Sequence, residues 1–262
     1  MRTEVHYWEA VGAAAETDPP PHLWRAHSDA VNSAWLSPHL PPTPRERILK
    51  TDLFDEALAA GLQPLLSARA RKVVGMDLSV ATVRSARTRS AQVKGVAADV
   101  RNLPFASSAF DSIVSISTLD HFAAAADILS SLRELHRVLR PGGQLLLTLD
   151  NLANPVVALR NALPFRPLHA LSILPYQIGA TLGPRRLRRA VADAGFEVLD
   201  VAAILHCPRV LAVAGARIVE RYGTLRVKRR YAALLLACER VAAWRTRFLT
   251  GYFVAVVARR PG

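Results

Sequence analysis

Cysteine is nearly absent: of 262 residues only two are Cys, at 207 and 238. They stand far apart, without a Cys-x-x-Cys pattern or a histidine at ligand spacing, which excludes a disulfide framework and gives no metal site. Each is expected to be a buried, inert thiol. Long apolar runs are also lacking. Asp200, His206 and Arg209 break the best candidate short of the roughly 20 residues a membrane span needs. The first residues, MRTEVHYWEA, put acids where a signal peptide has its apolar stretch, so secretion is not expected. Acid is missing altogether from residues 151–192. Lysine is scarce too, four of the 34 basic residues, and with the many alanines this reads as coding bias as much as a selected guanidinium surface.

Apolar residues make up 51% and charged residues 21%, the balance of an ordered globular chain. The net charge of +13 is unevenly placed. Residues 1–150 hold 16 basic and 16 acidic residues, whereas 151–262 hold 18 and 5. Three parts follow: an N-terminal helical extension (1–44), an α/β core (45–150), and a basic, apolar part (151–262) that caps the core and returns closing strands to its sheet. In the first part a helix over HLWRAHSDAVNSAWL lies between two proline-rich breaks. In the second, apolar runs at 47–49, 72–77, 93–99, 111–117 and 144–150 alternate with helical patterns at 55–70, 79–90 and 127–139. Runs apolar on both faces and separated by helices describe a parallel sheet covered on two sides. FEVLDV at 196–201 and the terminal TGYFVAVVARR add strands, with a long basic helical region over about 208–247. The expected fold is a doubly wound, mostly parallel seven-stranded α/β sheet with helical cap insertions.

Open parallel sheets bind ligands beyond the carboxyl ends of their strands. Asp77 follows the second strand, where a carboxylate accepts the hydroxyls of a ribose; it also suits a helix N-terminal acid beside Ser79. Asp99 and Val100 follow the third, where an acid next to an apolar residue holds an exocyclic amine and a ring, or simply makes a surface turn. STLDHF (117–122) follows the fourth and puts Asp120 and His121 at the mouth, the histidine suited to proton transfer or to a structural role.

In this order and spacing, VVGMDLS, AADVRNLPFASSAFDSIVSISTLDHF and LRELHRVLRPGGQLLLTLDN resemble class I S-adenosylmethionine-dependent methyltransferases, particularly the branch that includes ubiquinone and menaquinone biosynthesis enzymes. The likeness covers about residues 45–150. It implies that S-adenosylmethionine is the cofactor, that Asp77 with Leu78 takes the ribose, Asp99 and Val100 the adenine, and that Ser117 and Thr118 face the methionine part. One departure stands out. The family has an acid and a Gly-x-Gly-x-Gly turn at the first strand, and this chain reads ILKTDLFDEALAAGL from Ile48, with no glycine before Gly61, itself expected inside a helix. Either cofactor binding is lost, or the loop is rebuilt, with Lys50 and Thr51 at the ligand, Lys50 on its carboxylate and Asp52 or Asp55 on its ammonium. Asp55 and Glu56 also suit the first turn of a helix.

The acid-free stretch LANPVVALRNALPFRPLHALSILPYQIG has the composition of a lid over an apolar substrate, or of a segment lying on an anionic membrane. The region around LRVKRRYAALLLACERVAAWRTR fits a solvated basic helix or lipid contact. Nucleic acid is disfavoured because no binding motif accompanies the charge. The functional expectation is methyl transfer to a small apolar metabolite in the cytoplasm, with peripheral contact at the inner membrane surface. A non-catalytic scaffold that kept the fold is the competing reading, and a nicotinamide dehydrogenase a distant third because its glycine turn is also missing.

Overall fold

In a computed structural model, residues 2–41, 45–163 and 179–262 are described. The part of the expected lid at 164–178 lies outside them. The elements begin with α1 (Arg2–Thr17), α2 (His22–Leu36), β1 (Arg45–Lys50), α3 (Phe54–Leu58), α4 (Gln63–Ser67), β2 (Ala70–Asp77), α5 (Val80–Arg89), β3 (Lys94–Ala97) and β4 (Phe110–Ile116). A 3-10 turn (Leu119–His121), α6 (Ala125–Val138), β5 (Leu139–Asp150) and α7 (Pro155–Ala162) follow. Beyond the undescribed stretch come a helix at Pro184–Asp193, β6 (Glu197–Ile204), helices at Arg209–Tyr222 and Leu225–Ala237, a short one at Arg247–Thr250, and β7 (Phe253–Arg259).

Seven strands form one sheet in the order β3-β2-β1-β4-β5-β7-β6. The first five are parallel and β7 runs antiparallel between β5 and β6. Successive side chains alternate between two cores, as the period of a strand requires. Ile48, Val114, Leu146 and Val257 face the layer of α2 and the helices at 209–237, while Leu49, Ile113, Leu145 and Val256 face α6 and the helix at 184–193. In α6, Ile128, Leu132, Leu135 and Val138 recur at helical spacing and are fully buried. The helix stops before Arg140, whose position ahead of Pro141 disfavours helical backbone.

Three expectations are corrected. The single helix expected over 55–70 is two short ones, because Gly61 adopts φ +52° in the turn between them. The backbone there is left-handed, which glycine tolerates without strain. The N-terminal extension holds two helices; α1, an alanine-rich segment with little apolar periodicity, is additional. The long helical region at 208–247 is divided at Gly223–Thr224, where Thr224 caps the helix that follows.

Candidate functional site

The order of strands reverses at β1, which lies between β2 and β4, and the loops beyond the carboxyl ends of β1 to β5 converge there. The β1 loop folds without glycine because it needs none: among residues 50–54 no φ lies in the left-handed region. Leu53 anchors it. Gly75 of β2 and Gly95 of β3 are register partners, and a Cβ on Gly75 would meet the Leu53 Cδ atoms. The paired glycines leave a notch in the sheet surface, and Leu53 fills it, clustering with Ala57, Val83, Ala86 and Val93. The freedom that glycines normally give this loop has been moved into the floor beneath it.

The side chain of Leu53 therefore points down into the sheet layer, and its backbone N–H reaches Asp77. Asp77 accepts that amide at 3.1 Å on one carboxylate oxygen and the Ser79 amide at 2.8 Å on the other. Each oxygen keeps acceptor capacity. Burial raises the Asp77 pKa against the opposing pull of these two amides.

Lys50 is 3% exposed and donates to Glu56, itself 2% exposed, at 2.7 Å, and to the Asp52 carbonyl. Burial works against its charge, but Glu56, Asp52 and Asp55 outweigh it and raise its pKa. A buried ammonium requires its counterion, so the ligand-carboxylate pairing expected of Lys50 is replaced by an internal ion pair. Thr51 is also engaged internally, its hydroxyl bonded to Ser115 and Thr118 at 2.9 Å each, which ties β1 to β4. Asp52 accepts the Phe54 amide at 2.9 Å and keeps 26% of its side chain exposed. Its pKa is raised by burial first, then by Asp77, Asp55 and Glu56, against Lys50. Asp55 is half-buried beside them. Asp29 of α2 joins the cluster, its pKa pushed up to about 7 by burial and by Asp55 and Glu56.

After β3, Asp99 is gripped by Arg101, with contacts from 2.7 to 3.0 Å, so an incoming amine must share it. Val100 is buried and Leu78 half-buried. After β4, Ser117 takes φ +47° and donates to both oxygens of Asp120. Asp120 also accepts the Asp150 amide at 2.7 Å; burial and the Asp150 carboxylate raise its pKa. The His121 Nε2 lies 3.9 Å from Asp120.

Four contributors escaped the sequence reading. From α1, Glu9 accepts the Val80 amide and the Ser79 hydroxyl at the start of α5, Trp8 meets the His121 ring edge-on at 4.7 Å, and Glu4 pairs with Arg101 at 2.9 Å. This helix thus spans the loops after β2, β3 and β4. Asp150, paired with Arg160, which also bonds the Tyr252 hydroxyl, was visible only as the last acid of LLLTLD. Among the described residues no three His, Cys, Asp or Glu side chains are arranged so that they could hold a metal ion.

The architecture is the Rossmann-like methyltransferase fold. Residues 57–147 match the family model described as a methyltransferase domain. The chain is 30% identical over 142 residues to a "probable S-adenosylmethionine-dependent methyltransferase" of Mycolicibacterium smegmatis, covering 54% of this chain and 50% of the relative. It is 34% identical over 119 residues to a demethylmenaquinone methyltransferase of Corynebacterium kroppenstedtii, covering 45% and 47%. It thus spans about half the length of these curated relatives. Among solved structures, geranyl diphosphate C-methyltransferase of Streptomyces coelicolor, bound to S-adenosyl-L-homocysteine, superposes with a TM-score of 0.59 at 15% identity, over 88% of this chain and 77% of that one. Residues 57–147 thus match a methyltransferase domain, and S-adenosylmethionine is the cofactor these matches support.

Proposed function

We propose that this chain transfers the methyl group of S-adenosylmethionine to a small, largely apolar acceptor. The carrying observation is Asp77: a carboxylate fixed by two amides at the switch point of the sheet, with acceptor capacity left for a ribose diol. The donor set around it suits a cationic nucleoside. Asp52, Asp55, Glu56 and Asp77 gather about a single lysine, and the raised pKa values of Asp52, Glu56 and Asp77 mark carboxyls short of a cation, which a sulfonium and an ammonium would supply.

When bound, the cofactor supplies an electrophilic methyl on sulfur, which needs no metal. The protein's part is to orient the acceptor, exclude water and receive a proton. In this reading His121, packed edge-on against Trp8 of α1, takes the acceptor's proton, and Asp120, held by Ser117 and the Asp150 amide, fixes that end of the site. An apolar acceptor is favoured by the composition of 151–163, with Val156, Leu159 and Leu163 exposed on and after α7, and by the names of two similar proteins, which specify demethylmenaquinone and geranyl diphosphate.

Calorimetric titration with S-adenosyl-L-homocysteine tests the reading. Binding is expected in the wild type, at least about a hundredfold weaker in Asp77→Ala, as loss of charged hydrogen bonds implies. A folded wild type that gives no heat overturns it. His121→Gln is expected to keep cofactor affinity and lower turnover by about 10²-fold or more.

A further inference from the structure

We propose that the face formed by the helices at Arg209–Tyr222 and Leu225–Ala237 docks on an anionic phospholipid bilayer. The helix at 209–222 is packed with its large residues outward. It buries Ala212 and Ala216, while Leu211, Ile218 and Tyr222 are 72%, 61% and 73% exposed. Its orientation is fixed: the Tyr231 hydroxyl from the second helix donates to the Ala212 carbonyl at 2.7 Å and lies where a Cβ on Gly215 would be. The small inward residues let the helix lie close on α2, so rolling the apolar stripe inside would push the layers apart. Scattered exposed apolar residues need no explanation, but a contiguous stripe of large ones does.

The charge on this face identifies the partner. The two helices, 209–237, carry seven basic residues and one acid, Glu220, with a second acid, Glu239, just beyond them; of the seven, Arg209 packs on the Trp24 and Tyr252 rings. Both acids turn inward: Glu220 accepts the Leu23 amide, and Glu239 accepts the amides of Leu205 and His206 at 3.1 and 2.8 Å. The outer surface is left cationic. Arg226, Arg229 and Arg230 recur at helical spacing on the exposed side of the second helix, followed by exposed Leu234. Arg221 stacks on Tyr222, 5.3 Å from the ring centre. Arg217 faces exposed Asp18 at 3.8 Å.

Cations interleaved with aliphatic and aromatic side chains on one helical face match a lipid interface, where the charges meet headgroups and the apolar groups enter the acyl boundary. A second copy of this chain would bring two cationic surfaces together. A nucleic acid would leave the leucine and isoleucine side chains in water. No described helix is long and apolar enough to cross a membrane, so the attachment is peripheral.

Vesicle flotation with the full chain tests this. Vesicles of equimolar phosphatidylglycerol and phosphatidylcholine are expected to retain at least about tenfold more protein than phosphatidylcholine alone, and the difference should shrink as salt is raised. The substitution Leu211→Ser with Ile218→Ser should reduce retention by about tenfold or more, and Arg226→Glu with Arg229→Glu and Arg230→Glu should abolish the anionic preference. Because these residues are exposed, circular dichroism should be unchanged. Equal retention on both vesicle types, or none, overturns the proposal. So does light scattering that shows a dimer lost in the Leu211→Ser, Ile218→Ser protein, or RNA capture that the arginine substitutions remove and the apolar ones leave intact. The surface shares no residue with the cofactor site, so failure of cofactor binding leaves this inference standing.

Discussion

The α/β core and the C-terminal helices break the usual partition of residues in opposite directions. In the core, ionisable groups are inside: Lys50, Glu56 and Asp120 are buried. In the helices at 209–237, large apolar groups are outside: Leu211, Ile218, Tyr222 and Leu234. The contrast is sharpest between two helices of equal length. α6 buries Ile128, Leu132, Leu135 and Val138, whereas the helix at 209–222 buries two alanines. A buried charge persists only where partners hold it, and an exposed apolar stripe only where water is not its working solvent. The buried charges are held by partners within the protein, and the exposed stripe is the face proposed to dock on lipid.

The largest effect should come from breaking the buried ion pair. Glu56→Gln removes the nearest counterion of buried Lys50, leaving only the more distant Asp52 at 3.8 Å, and should cost about 3–5 kcal/mol in denaturant unfolding. Replacing Lys50 by Met in the same chain should recover part of this. The two helices should then separate cleanly. Leu132→Ala should destabilise by about 2–5 kcal/mol, while Ile218→Ala should stay within about 0.5 kcal/mol; equal losses would remove the contrast.

The notch beneath the β1 loop comes next. Gly75→Ala drives a methyl into Leu53 and should cost about 1–3 kcal/mol, with Leu53→Ala in the same chain relieving the clash. A test by pH concerns Asp29, whose folded pKa of about 7 stands above the ordinary carboxylate value. The fold favours its protonated form, so its contribution is complete below about pH 4 and is lost as pH rises through 7. Thermal melting should decline across that range, and Asp29→Asn should flatten the decline and raise the melting temperature at pH 8.

Much of this architecture is readable in one dimension. KVVGMD and DSIVSIS are apolar on both faces, and such runs become strands only where helices cover both sides, as β2 and β4 show. The candidate positions after β1 to β4 follow from strand order and are gathered at one end of the sheet. What could not be read was who satisfies whom. Lys50 looked available to a ligand because its partner lies six residues on, in the first turn of α3, where the sequence alone suggested only a complement to the helix dipole. Arg101 was an ordinary surface arginine until α1 brought Glu4 to it. The contribution of α1 had no clear signal, since RTEVHYWEAVGAAAET has neither a strong apolar stripe nor a motif.

The chain order of apolar runs and breaks determined the sheet, its crossovers and the end at which the candidate site residues gather, because strand and helix periods are local properties of sequence. Tertiary packing alone decided that a leucine in a glycine notch replaces a glycine loop, that the basic helices turn their large residues outward, and that α1 spans the site. An amphipathic pattern defines two faces, but which of them lies inside depends on the volume the neighbouring layer leaves open.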